Sequence, residues 1–385
     1  MKSIFVTALI FLSLNSNFAW SAQREVVIGL ASNFSEVSSS SSNPFGDYFR
    51  DGVTLAVKDA KAKLEKKGLK IVLKEFDYGV SDARVLDAAK RAGESDAIAV
   101  LGYNFSSHAL LAAPVHKKAG LPMLTPSATA NRIASLGSFV HQGCFDNAFM
   151  GETLAQVAAG RLKAKKAAII VAADCAYCTD LAEAFSKEFT RGGGEISVSI
   201  PVLQEDKNFE AVFQKLKATP HDVILVPNQE LLSARIIANL SDLGVSKPFL
   251  GGDGWGNVGR EFFSIVGAKK FAGYSVSHWH TEERSKASKN FVSNYIKEFK
   301  KEPNDTSVLA YDSMSLLLQA VMGAKANSRV EIENSLSEMK SFTGVTGKFI
   351  FRSDRAPKKS LILLSANNAK FQILERIDPT QGGGK

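Results

Sequence analysis

The sequence predicts an α/β fold of two lobes, each built on a largely parallel sheet with helices on both faces. Three observations lead there. From Arg24 onward, short β-rich runs alternate with longer helical patterns, the order that makes a parallel sheet joined by crossover helices. The strand segments are short and almost unbroken in apolar residues, as in Ala97-Ile98-Ala99-Val100-Leu101, which suits strands covered on both sides. The alternation comes as two series, so the 385 residues read as two sheets rather than one.

In the first series, residues 26–30 read as a strand and 44–65 as a helix with apolar Val53, Leu55, Val57 and Ala60. Residues 69–76 follow as a strand, 82–92 as a helix, 97–101 as a strand, 106–118 as a helix and 122–124 as a strand. The second series starts after Phe139-Val140-His141, with helix 147–162, strand 167–172 and helix 179–190. Gly192-Gly193-Gly194 closes that last helix as a C-terminal cap. Segments 196–200, 209–217, 223–226, 231–243 and 249–252 continue the alternation, so both series build Rossmann-like lobes. Beyond Phe271 the order loosens into helices 283–300 and 306–324, then strands 347–351, 360–364 and 371–374. That tail is too short for a third domain and is expected to complete the first two. The expected lobes are residues 22–145 with 279–350 and residues 146–278 with 351–385, with hinges near 144–147, 277–281 and 349–353. The serine run 38–42 reads as a flexible loop after the first strand, where a parallel sheet borders its ligand crevice.

Composition excludes several classes. A charged fraction of 22% beside 45% hydrophobic residues argues against disorder. The 47 Lys+Arg and 39 Asp+Glu leave +8, but the dense clusters at 61–70 and 297–301 read as solvated helix faces, not a nucleic-acid stripe. No phosphate loop and no Gly-x-Ser-x-Gly elbow is present, and Gly254-Trp255-Gly256-Asn257-Val258-Gly259 lacks the strand and acidic residue of a dinucleotide site. His278-Trp279-His280 puts two imidazoles on one face of an expected strand, without a third metal ligand. Neither a metal nor a cofactor is expected.

Residues 1–21 carry Lys2 as their one charge, an apolar run over 4–14, and Ala19-Trp20-Ser21 with small residues where a signal peptidase reads. That run is shorter than the roughly 20 residues that span a bilayer, so a cleaved signal peptide is expected rather than an anchor. No Cys follows the run to take a lipid, and the mature chain is expected to be soluble and exported, starting near Ala22 or Gln23. The 3 cysteines are too few for a disulfide scaffold. Cys175-Ala176-Tyr177-Cys178 lies between an expected strand and helix, which leaves three readings open: a structural disulfide, free thiols or thiol-redox catalysis. Cys144 is left over at the lobe boundary.

Several segments in order carry a resemblance: Val27-Ile28-Gly29-Leu30, Pro44-Phe45-Gly46, Asp51-Gly52-Val53, Gly102-Tyr103-Asn104-Phe105-Ser106-Ser107, Leu124-Thr125-Pro126-Ser127-Ala128-Thr129 and Gly251-Gly252-Asp253-Gly254-Trp255. Together they make the chain similar to exported solute-binding proteins of ABC transporters in the branched-chain amino acid and amide family, which have the type I periplasmic-binding-protein fold. The resemblance implies a carboxylate-binding serine at Ser106, with Thr129 and the Ser127 backbone amide beside it. It implies an ammonium acceptor at Asp253 and an aromatic lining position at Tyr177, and adds Trp255 to the ligand-binding candidates. Phe45 stands where an aromatic with a hydroxyl is common, and Gln229 where an aromatic is common. The resemblance further implies a monomer that hands a small amino acid or amide to a membrane permease, and no enzymatic activity.

The residues support an independent reading. Ser106 and Ser107 open an expected helix, whose free N–H groups and dipole favour an anion; the plain alternative is that Ser106 only caps it. Thr129 and Asp253 both follow strands, where each is otherwise an ordinary turn residue. An anion site on one lobe facing a carboxylate on the other suits a zwitterion, which would hold both lobes closed. The rival functions are a ligand-sensing receptor component and an exported thiol-redox enzyme using Cys175 and Cys178.

Overall fold

A computed structural model describes residues 23–35, 44–79, 81–256, 260–267, 269–351, 357–367 and 370–379. The expected signal peptide (1–21), the serine run 38–42, residues 257–259 of the glycine-rich match and the end of the expected hinge 349–353 lie outside them.

Apolar burial divides the chain between two large sheets. The first is built from β1 (Arg24–Ser32), α1 (Pro44–Lys66), β2 (Leu69–Asp77), α2 (Asp82–Glu94), β3 (Ala99–Gly102), α3 (Ser106–Ala119), β4 (Met123–Thr125), α4 (Asn131–Ser135) and β5 (Val140–Gln142). Its strands run in the order β2-β1-β3-β4-β5, and every neighbouring pair is parallel. Alanines (Ala88, Ala89, Ala92, Ala109, Ala112 and Ala113) let α2 and α3 sit close on one face.

The second sheet follows α5 (Asn147–Gln156), which ends in a π-type turn over Val157–Arg161. Its elements are β6 (Lys166–Ala172), α6 (Ala176–Arg191), β7 (Glu195–Val202), α7 (Glu210–Ala218), β8 (Val223–Leu225), α8 (Glu230–Asp242), β9 (Phe249–Gly251), α9 (Arg260–Val266) and β10 (Gly273–Ser277). The chain then returns to the first lobe with α10 (Lys286–Phe299), α11 (Asp305–Gly323) and α12 (Arg329–Glu338). Leu317, Val321 and Ile332 from these helices share a core with Val26, Ile28 and Val53, and so cover the second face of the first sheet. The Arg329 guanidinium fastens α12 by donating to the carbonyls of Gly93, Ser95, Ala97 and Ala119 at 2.7–3.1 Å.

The tail departs from expectation. β11 (Ser341–Gly344), β12 (Gly347–Phe351) and β13 (Pro357–Lys359) form an antiparallel sheet of their own. β14 (Leu361–Asn367) and β15 (Lys370–Ile377) extend the second sheet as an antiparallel edge, in the order β15-β14-β10-β9-β8-β6-β7. Residues 357–359, expected in the second lobe, are held to β12 by the pairs Phe351↔Pro357 and Phe349↔Lys359. The chain therefore crosses at Ser360 rather than near 351. The other passages lie between β5 and α5 and between β10 and α10. β10 ends at Ser277, so His278, Trp279 and His280 are not the strand they were expected to be; they lie in the passage itself.

Candidate functional site

The loops that leave the C-terminal ends of the parallel strands meet between the lobes, the usual place for a ligand crevice in open α/β sheets. The β3–α3 loop shapes the first wall. At Gly102 the backbone has φ of +154°, and a Cβ there would meet Ala31 O at 2.0 Å, so only glycine fits this turn. Tyr103 follows with φ of +57°, an uncommon value for a side-chain-bearing residue. Thr125 Oγ1 holds it by donating to Tyr103 O at 2.9 Å, and Ser127 Oγ donates to Asn104 O at 2.9 Å.

Helix α3 then begins at Ser106, but Ser106 is not its cap. The capping position belongs to Phe105, and no side chain caps the helix. The Ser106 hydroxyl instead accepts the Ala130 N–H at 3.2 Å, which leaves its own proton to donate. An uncapped helix start with a hydroxyl beside it is the arrangement that receives an anion.

The second wall is built by α6, α8 and the turn after β9. Cys175 and Cys178 are joined by a disulfide at the start of α6, with Cys175 in the capping position, and the short ring holds Tyr177 between them. Gly252 and Gly254 give that phenol room, since a Cβ on either would lie 2.3–2.9 Å from Tyr177. The Tyr177 hydroxyl accepts the Gly254 N–H at 3.0 Å. Burial, then the neighbouring Asp253 charge, pushes the phenol well above its ordinary pKa. Asp253 accepts the His278 Nε2–H on Oδ2 at 3.0 Å, and the Tyr177 hydroxyl lies beside its carboxylate, whose buried Oδ1 has no other partner. Burial, then the positive charge of Lys359, lowers His278 to about 4, against the pull of Asp253.

These walls enclose a cavity of about 650 Å³. Phe45, Ser106, Ser127, Tyr177, Gln229 and Asp253, all expected from sequence, line it. Phe45 stacks on Phe105 with ring centroids 5.2 Å apart, which makes an apolar patch beside the helix start. Two candidates fall elsewhere. Trp255 is fully buried in the second-lobe core, where its Nε1–H donates to Val226 O at 2.9 Å and its ring stacks on Phe262. Thr129 lies behind the lining: its carbonyl accepts the Asn147 N–H at 2.8 Å, and its buried hydroxyl has no partner.

Sequence reasoning missed Tyr48, Asn104, Phe105, His278 and Arg235, which also line the cavity. Tyr48 could have been found one helical turn beyond Phe45, and Asn104 and Phe105 lie within a quoted motif. Nothing local marks His278 as part of this site, because its partners Asp253 and Phe145 are distant from it in sequence.

Burial shields both sulfurs of the disulfide, Cys175 at 7% exposure and Cys178 at 0%, so a redox partner could reach neither without local opening. Cys144 is free and fully buried. Thiol counting on unfolded protein is expected to give one reactive thiol without reductant and three with it. Three thiols in both cases would exclude the bond.

Among the described residues, no helix is long and apolar enough to cross a membrane. The amino acid binding protein of Pseudomonas aeruginosa is 25% identical over 330 residues, covering 85% of this chain and 86% of that relative. A Leu/Ile/Val-binding protein homologue of Brucella melitensis is 28% identical over 224 residues, covering 58% of this chain and 60% of the relative. In structure, the leucine binding protein of Thermotoga maritima superposes with a TM-score of 0.84 at 24% identity, over 92% of this chain and 99% of that one. The branched-chain amino acid transporter substrate-binding protein of Streptococcus pneumoniae, solved with isoleucine, gives 0.80 at 28% identity over 92% and 100%. The family model for periplasmic binding proteins matches residues 25–370, and with two parallel-sheet lobes around a shared cleft the chain belongs to that family, in its type I form.

Proposed function

We propose that this protein is an exported solute-binding protein that captures a small α-amino acid with an apolar side chain, branched-chain first, or a close amide, and delivers it to an ABC permease. The carrying observation is the charge pattern across the cavity. One wall offers the uncapped start of α3 with Ser106, the opposite wall offers Asp253 with an unpartnered oxygen, and Phe45 and Phe105 stack beside the helix start. A zwitterion matches both ends at once, and an apolar side chain suits the rings. A ligand touching both lobes favours their closed arrangement by the free energy of those contacts. The names of the relatives, amino acid binding and Leu/Ile/Val-binding, support the same ligand class. A cargo carrier needs affinity and a hinge rather than a nucleophile, so the reading is of binding without catalysis.

Mass spectrometry of small molecules released on denaturing freshly purified protein tests this, followed by calorimetry of the stripped protein with the twenty amino acids. Release or binding of leucine, isoleucine, valine or another apolar amino acid is expected. Absence of binding by every amino acid and its amide would overturn the reading.

A further inference from the structure

We propose that His278 is a further specificity-determining residue of the cleft: its Nε2–H occupies one oxygen of Asp253 and leaves the other as a lone carboxylate acceptor for a ligand ammonium. The inference rests on the amino-acid reading above and adds to it the residues that set the charge of the second wall.

The geometry starts from His278 being buried in the passage between β10 and α10, with its ring stacked on Phe145 at 3.7 Å. Nε2 lies 3.0 Å from Asp253 Oδ2, and Nδ1 is buried without a partner. A carboxylate only accepts, so the proton of this bond sits on Nε2. With the imidazole neutral, the pair carries one negative charge. With an imidazolium the pair would be neutral and its attraction for an ammonium largely cancelled.

Burial first, and then the charge of Lys359, favour the neutral form. Lys359 is fully buried on β13, and its ammonium has no hydrogen-bond partner and lies 4.7 Å from the Phe349 ring centroid and 6.0 Å from that of Phe145. The stack of Phe145 thus has His278 packed on it and a fixed cation nearby. The other charged groups around this hinge are Asp312 on α11, Arg376 on β15 and Asp146 at the start of α5, and the buried Cys144 thiol beside them is pushed up by burial and stays neutral. Asp312 is held by the Val345 and Thr346 N–H groups and the Thr346 hydroxyl, and Arg376 pairs with Glu283. Burial lowers Lys359 to about 8, with Asp312 pulling it back up, and its positive charge opposes a second one on His278. A wall with one net negative charge discriminates for an ammonium and against a ligand that offers only a carboxylate.

The test has two arms. Long-range ¹H–¹⁵N spectra of the histidine rings, recorded on the wild type from pH 4 to 8, should show His278 as the neutral Nε2–H tautomer down to about pH 5. Lys359→Met should raise the pH at which that ring charges. A charged ring, or the Nδ1–H tautomer, at pH 7 in the wild type would overturn the proposal without any variant. The second arm is calorimetry with L-leucine and with 4-methylpentanoate, which lacks the ammonium. His278→Phe leaves the Asp253 carboxylate without its donor and should weaken L-leucine at least tenfold more than 4-methylpentanoate, whereas His278→Gln, which keeps a donor and cannot charge, should stay within about threefold for L-leucine. Equal L-leucine affinity in His278→Phe and wild type would also overturn it. If wild type binds no L-leucine, the amino-acid reading loses its first candidate, while the ring spectra still decide the state of His278.

Discussion

Asp253→Asn is expected to weaken binding of an apolar α-amino acid by roughly ten- to a hundredfold, the cost of losing one charge-assisted contact of about 1.5–3 kcal/mol. The substitution keeps the shape of the side chain and its place after β9, so folding should be unaffected. It removes the charge and converts one acceptor oxygen into a donor, facing a donor on the ligand. A neutral amide or a simple carboxylate should lose much less, because neither places a full positive charge there. Ser106→Ala reports on the other end of the same ligand. It should weaken ligands with a carboxylate by about tenfold and leave an amine without one unchanged, since the hydroxyl is the donor beside the uncapped helix start. Calorimetry of the two variants with an amino acid, its amide and its deaminated analogue separates the ends. If Asp253→Asn leaves every ligand unchanged, Asp253 has no part in binding.

The second large effect is loss of stability in mild acid. His116 is buried in the first lobe, where its Nδ1–H donates to Leu121 O at 3.2 Å and its Nε2 accepts the Tyr103 hydroxyl at 2.9 Å. Burial holds it down to about 4, and His278 lies at about the same value. In the unfolded chain both would take a proton near pH 6.5. Their folded values are lower, so the unfolded state binds more protons, and stability is full above about 6.5 and falls as pH drops towards 4. Each histidine should contribute roughly 3 kcal/mol to that loss. Denaturant midpoints should fall steeply between pH 6.5 and 4.5, with His108 and His280, also lowered by burial, adding to the fall, and His116→Gln, though less stable at pH 7, should show a clearly shallower slope. A midpoint independent of pH across that window would show that neither imidazole is held neutral.

Much of the architecture is written in local pattern. The strand expected over 97–101 is found as β3 at Ala99–Gly102, and it is buried throughout because both of its faces are covered, a requirement visible without coordinates. The strand-to-loop segments around Ser106, Ser127 and Asp253 were legible for the same reason: a site at the strand ends must be built from the residues that follow each strand, whatever the overall packing. Phe45 and Tyr177 could be named only through the family resemblance, since nothing in their own periodicity marks them as lining a cleft. The tail was harder. β13 is 3 residues long with two lysines, and its strand character comes from pairing to β12, a partner that no local periodicity reports.

The sequence by itself determined the two-lobed parallel architecture, because burial period and strand-to-helix order are local properties of the chain, while most of the cleft candidates came from the family resemblance. Only the tertiary structure decided how those residues act. It put Trp255 in the core, since an indole N–H that finds Val226 O is better buried than left in the cleft. It set Thr129 behind the wall, and it brought His278 to Asp253, 25 residues apart in sequence, in a buried setting that lowers the imidazole, with the charge of Lys359 adding to that effect. Charge state depends on burial and on neighbours in space, and those neighbours exist only after the chain has crossed between its lobes.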